Sequence, residues 1–148
     1  MRPEEIGNKT ERLTDLCREA REKYQPDSQT YCNLAVRYVA RGFAEYTGFR
    51  NFLANRMIKW MEDQPEWATV EPEVAKKCAD DGKLVVAGTR GDPHGHVAVV
   101  LPGRALVPSG KWGGQWPVVS NVGKQNWICG ANYAFSKRPK FYVLIDGA

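Results

Sequence analysis

Both histidines of the chain, His94 and His96, lie in RGDPHGHVAVVLPG (90–103), where a polar loop turns into the apolar run from Val97 to Leu101. An imidazole at the mouth of a strand has three uses: a loop side chain, a metal ligand or a general base. The base needs a nucleophile, and Cys32 in TYCNLAVRYVA supplies one. At or near the first turn of a helix, its sulfur is surrounded by unpaired backbone N–H groups. Those groups favour a thiolate, so a lowered thiol pKa is expected, and they offer an oxyanion hole to a carbonyl under attack. Such a base also needs an acceptor for its second ring nitrogen. In VVSNVG (118–123), Asn121 shares a strand face with Val119, and Ser120 shares the other with Val118. An amide oxygen is a suitable acceptor, so Asn121 is preferred to Ser120, with Asn126 and Asp92 behind them.

Each of these residues also has a simpler use. A cysteine on an apolar helix commonly packs in the core, and a histidine at a strand edge is commonly solvated. Asp92, His94 and His96 lack a clear further ligand, so neither a metal nor another cofactor is expected. Trp112 and Trp116, in PSGKWGGQWP (108–117), either stack on a sugar or peptide or pack under their own loop. Met57, Trp60 and Met61 read as core, and His94 as a loop residue that shapes the approach to the strand.

These residues must be positioned by a chain of 148 residues, the length of one domain, taken as 1–148 without internal repeat or linker. The net charge of +4 weakly favours an anionic partner. No cluster of five or more Lys/Arg and no glycine-aromatic recognition motif is present, which argues against nucleic acid. No stretch approaches the length of a membrane span. Cys17, Cys32, Cys78 and Cys129 form no C-x-x-C pair, the wrong pattern for structural zinc, though one or two of them pair if the protein meets an oxidising compartment.

Leu13, Leu16, Cys17, Ala20 and Tyr24 recur at helical spacing. After QPDSQT, a second helix runs from near Thr30 toward Gly42, apolar on more than one side and therefore central. RNFLANRMIKWM predicts a third, with Phe52, Leu53, Met57, Trp60 and Met61 inward. Pro72 opens a fourth that Gly82 closes. KLVVAG, HVAVVLPG, WPVVSNVG and KFYVLID then read as strands at hairpin spacing, so the sheet should be antiparallel and the fold class α+β.

The ordered set TYCNLAVRYVA, LANRMIKWM, AKKCADDGKLVVAG and GHVAVV resembles the small cell-wall amidases that bacteria inject into rivals by type VI secretion, within the papain-like superfamily of NlpC-type and CHAP-type peptidoglycan hydrolases. The resemblance covers roughly Pro26 to Pro102, with a looser echo in the third strand. It implies a papain-like fold with N-terminal helices on an antiparallel sheet, Cys32 as nucleophile, His96 as general base and Asn121 as third catalytic residue. Asn55, in the A-N-x-M motif, is an expected substrate contact, and outside the resemblance Lys111 and Trp112 of the tryptophan loop are expected to contribute others, the lysine toward the carboxylates of wall peptides. The resemblance departs after the cysteine, where many relatives carry serine and glycine and this chain has Asn33 and Leu34. The loop GRALVPSGKWGGQWP (103–117) also differs from an effector loop and fits a phage-encoded or other wall hydrolase.

The expected function is hydrolysis of an amide in a peptidoglycan stem peptide through a Cys–His thioester mechanism. The expected protein is a monomer with an immunity or inhibitor protein as partner, no nucleic acid and no membrane insertion. MRPEEIGNKTERL is charged and polar, unlike a secretory leader, so synthesis in the cytoplasm and action in the periplasm or cell wall are expected. The same pair would also serve a transglutaminase, a deamidase or a protein-directed cysteine protease. A non-catalytic wall- or partner-binding module on the same fold is the remaining alternative.

Overall fold

The first apolar stripe sits on a helix much longer than its hydrophobic pattern. In the computed structural model, which describes residues 2–145, α1 spans Pro3–Lys23. Pro3 opens it, Glu4 and Glu5 occupy the first turn, and Arg21 and Lys23 the last, each sign favourable to the helix dipole. Only the stripe of Leu13, Leu16, Cys17 and Ala20 is buried. The second helix, α2 (Cys32–Ala44), buries Ala35, Val36, Val39 and Ala40. The third, α3 (Ala54–Asp63), starts later than its sequence suggests. Leu53 is its N-cap and is 65% exposed, not inward, while Met57, Ile58 and Met61 face the core. The fourth, α4 (Pro72–Asp80), begins at its proline, and Gly82 at φ 83° lets the Gly82 and Lys83 N–H groups close back onto Ala79 and Cys78.

Six strands form the main sheet: β1 (Trp67–Val70), β2 (Val85–Thr89), β3 (His96–Val100), β6 (Val118–Asn121), β7 (Trp127–Gly130) and β8 (Lys140–Leu144). Their order is β1-β8-β2-β3-β6-β7, and every pairing is antiparallel. Between β3 and β6, β4 (Val107–Pro108) and β5 (Gln115–Trp116) make a separate two-stranded ladder, and a single turn, α5 (Ala131–Ala134), follows β7. Strands β1, β4, β5 and β7 are short and carry no valine run, so hydrophobic patterning did not separate them from loop.

The central strands are apolar throughout because both faces of the sheet are covered. Val86, Val97 and Val99 pack against α1, α2 and α3 in one core. Val85, Ala87, Ala98 and Val100 alternate with them and pack against Ala75 and Ala79 of α4, with Trp116 and Phe135, in a second core. The α+β class therefore holds, with N-terminal helices on an antiparallel sheet, and the helices cover both of its faces. The end of α1 is tied to the β6–β7 end of the sheet. Arg21 Nη1 donates to Ser120 Oγ at 2.6 Å, and Asn126 Nδ2 donates to the Arg21 and Tyr24 carbonyls at 2.9 Å each. Among the described residues all four cysteines are unpaired, and no helix is long and apolar enough to cross a membrane.

Candidate active site

His96 is the first residue of β3 and Asn121 the last of β6, the neighbouring strand. The two side chains meet, with His96 Nε2 and Asn121 Oδ1 2.6 Å apart. The second amide contact settles the direction of that bond. Asn121 Nδ2 donates to the Gln125 carbonyl at 2.9 Å, so Oδ1 is the acceptor and Nε2 carries the proton. In the neutral ring the free lone pair is then on Nδ1. Burial lowers the His96 pKa from its ordinary value, and the bond to Asn121 raises it by less, so the resting ring is neutral near pH 7. Phe135 backs the ring, with centroids 4.9 Å apart.

Cys32 is the first residue of α2, and its N-cap, Tyr31, makes no side-chain capping bond. The first-turn N–H groups are left to other partners. The main-chain N–H groups of Val97, Asn33 and Cys32 itself act on the sulfur and favour the thiolate, but burial outweighs them and the thiol pKa is raised. This corrects the expectation of a lowered pKa: a helix start stabilises a thiolate only as far as the site stays solvated. Burial thus disfavours the charged form of both the Cys32 thiol and the His96 ring.

Cys32 and Val97, the residue after His96, line the same small internal cavity. Strand alternation directs Val97 toward α1–α3 and His96 toward the opposite face, with Asn121 and Phe135. Cys32 packs against the α1–α3 core, so the sulfur and the ring meet the start of β3 from opposite faces of the sheet, and neither surface cleft is lined by both.

Two surface clefts flank this point. Cys32 lines one of about 860 Å³, together with Asn33, Phe52, Leu53 and Arg56. His96 and Asn121 line another of about 740 Å³, together with Lys111, Lys124 and Lys137. Thr30, His94 and Gly95 line both and form the ridge between them.

Asn55 holds that ridge. Its Nδ2 donates to the Gly91 carbonyl at 2.8 Å and the Pro93 carbonyl at 3.3 Å, and its Oδ1 accepts the Gly91 N–H at 3.1 Å. Its amide is thus engaged by the protein, which makes it a brace for the loop leading into His96. Gly95 has no room for a side chain, since a Cβ there would come within 2.7 Å of the Thr89 carbonyl oxygen and would strike Asn55 Oδ1.

The other expected site residues are dispersed. Lys111 lines the second cleft and donates to the Phe135 carbonyl at 3.0 Å. Trp112 lines neither cleft: its ring packs edge-on against Trp116 at 4.8 Å, under its own loop. Ser120 faces α1, Asn126 braces the α1 terminus, and Asp92 lies on the exposed loop, so none of these replaces Asn121 at the ring. Among the described residues no group of three or more His, Cys, Asp or Glu side chains converges as metal ligands would. Sequence reasoning missed Trp127 and Tyr133, which line the second cleft. The available signal was that Trp127 follows VVSNVG at hairpin distance, which makes it a cross-strand neighbour of Asn121. Neither protein-family models nor curated proteins give a match to this chain.

Proposed function

We propose that the protein is a papain-like cysteine amidase that hydrolyses an amide bond of a peptidoglycan stem peptide, with Cys32 as nucleophile, His96 as general base and Asn121 as the residue that orients the base. The observation that carries this reading is the fixed tautomer of His96. A ring whose Nε2–H is locked to Asn121 at 2.6 Å presents a basic Nδ1 at the start of β3, and the thiol at the head of α2 lines one cavity with Val97, the next residue of that strand. The orienting amide is itself fixed by its bond to the Gln125 carbonyl.

A neutral pair favours deprotonation during attack over a standing thiolate–imidazolium pair. His96 Nδ1 takes the Cys32 proton as sulfur bonds to the carbonyl carbon and the C=O π electrons move to oxygen. N–H groups at the start of α2 stabilise the oxyanion. The imidazolium then protonates the amide nitrogen, the C–N bond breaks, and the amine leaves with a thioester on Cys32. Water attacks that thioester with His96 again taking the proton; the C–S bond breaks, the acid leaves, and sulfur recovers its proton. Stem-peptide carboxylates suit a cleft that carries Lys111, Lys124 and Lys137.

The test is release of soluble muropeptides from intact sacculi by the purified protein. New muropeptides are expected with wild type and none with Cys32→Ala or His96→Ala. No release by wild type, or equal release by Cys32→Ala, would overturn the assignment.

A further inference from the structure

We propose that Trp127 and Tyr133 form a stacking platform for a sugar ring of the wall glycan, the polymer to which the stem peptide is attached. This rests on the amidase reading for its substrate class but on separate residues. Both side chains are large, aromatic and exposed, at 37% and 65%, and their ring centroids lie 6.4 Å apart at 59°. Both line the cleft that holds His96 and Asn121. Trp127 is the direct cross-strand partner of Asn121, so it stands on the same face of the sheet, one strand further from β3.

The surroundings select the ligand. Lys124, Gln125, Ser136 and Lys137 line the same cleft and rim the two rings with ammonium, amide and hydroxyl groups. An apolar peptide side chain would gain from the rings but not from that rim. A pyranose has an apolar C–H face to lay on the rings and hydroxyl and acetamido groups at its edge to reach the rim. Trp112, the ring that sequence alone would have offered a sugar, packs against Trp116 instead.

Position also constrains the reaction. Strands lie about 4.8 Å apart, so β7 stands roughly 10 Å from β3 across β6. An extended peptide covers about 3.4 Å per residue, so about three residues bridge that gap. A sugar seated on Trp127 therefore brings an amide within about the first three residues of the stem to His96 at the start of β3, and the stem's carboxylates pass the lysines on the way.

The experiment separates this site from the chemistry. Full-length Cys32→Ala protein, which cannot turn substrate over, is titrated with peptide-free N-acetylglucosamine oligomers while intrinsic tryptophan fluorescence is read. Saturable binding is expected. Adding Trp127→Ala should weaken it about tenfold or more, the scale of one lost stacked ring. Adding Tyr133→Ala instead, at a more exposed position, should also weaken it, and Trp127→Phe should keep most of it. In the active protein, Trp127→Ala should lower the ratio of kcat/KM on sacculi to kcat/KM on sugar-free stem peptide by a similar factor. Absence of saturable binding, or binding undiminished by both alanine variants, would overturn the platform. Should wild type cleave nothing while the Trp127-dependent titration persists, the platform stands and the amidase reading fails.

Discussion

Replacing Asn121 with alanine perturbs the site at one atom whose role the geometry defines. The change removes the acceptor 2.6 Å from His96 Nε2 and leaves the Gln125 carbonyl without its 2.9 Å donor. An unsatisfied donor in such a site costs about 1–3 kcal/mol, and the ring can avoid part of that cost by moving its proton to Nδ1. That tautomer has no lone pair toward the thiol. The expected loss in kcat/KM on a soluble stem peptide is therefore on the order of tenfold to a hundredfold, smaller than removal of Cys32 or His96. The pH profile distinguishes this from simple damage. Activity requires neutral His96, so the acid limb of kcat/KM in wild type lies below the ordinary imidazole value of 6.5. The bond to Asn121 raises the His96 pKa, so its loss moves the acid limb to lower pH. Asn121→Asp sets a carboxylate beside the ring and should move the limb to higher pH. A slower Asn121→Ala enzyme whose limb is unmoved or displaced upward would refute the orienting role.

The remaining predictions address the other supports of the site. Asn55→Ala removes three hydrogen bonds to the 91–93 segment and should lower both the melting temperature and kcat/KM, about tenfold for the latter, without rescue by Asn55→Gln. Gly95→Ala should be at least as damaging, because its Cβ meets the Thr89 main chain, and near-normal activity would contradict the tight ridge. Iodoacetamide labelling of Cys32, followed by mass spectrometry, should be slow at neutral pH and rise only above the ordinary thiol value of 9.0. Cys17 and Cys129, pushed by burial to about 12 and about 11, should stay unlabelled, and fast labelling of Cys32 at pH 6 would reveal a standing ion pair. Since the folded pKa of His96 is lowered, its contribution to stability is fully present above the unfolded value of about 6.5 and is lost as pH falls toward the folded one. His96→Gln should flatten that part of the stability profile measured by chemical denaturation.

The Cys32, His96 and Asn121 positions were legible because each sits at an element boundary that sequence marks well: a helix after QPDSQT, a strand after Gly95, a strand closed by Gly123. Alternation in VVSNVG correctly separated Asn121 from Ser120, since a period of two leaves no choice once the strand exists. The sign of the thiol shift was not legible, because it depends on how deeply tertiary packing buries the helix start. The length of α1 was underread for the opposite reason: its first ten residues carry Ile6 as their one large apolar side chain, and the opening Pro3 with the dipole-favourable Glu4 and Glu5, not an apolar face, marks the helix there. The strands β1 and β7 escaped because WATV and WICG are short and acquire their state from partners distant in the chain. Asn55 was noticed as part of a motif, but only the fold reveals that its amide braces Gly91 and Pro93.

Bifunctional alkylation with 1,3-dibromoacetone tests the pairing of Cys32 with His96 most directly. The thiolate displaces one bromide and a ring nitrogen within a few ångströms displaces the other, leaving a three-carbon bridge. Peptide mapping by mass spectrometry should find Cys32 linked to His96 through Nδ1, the nitrogen that Asn121 leaves free. Cys32 alkylated but never joined to His96, or joined to His94 instead, would contradict the account.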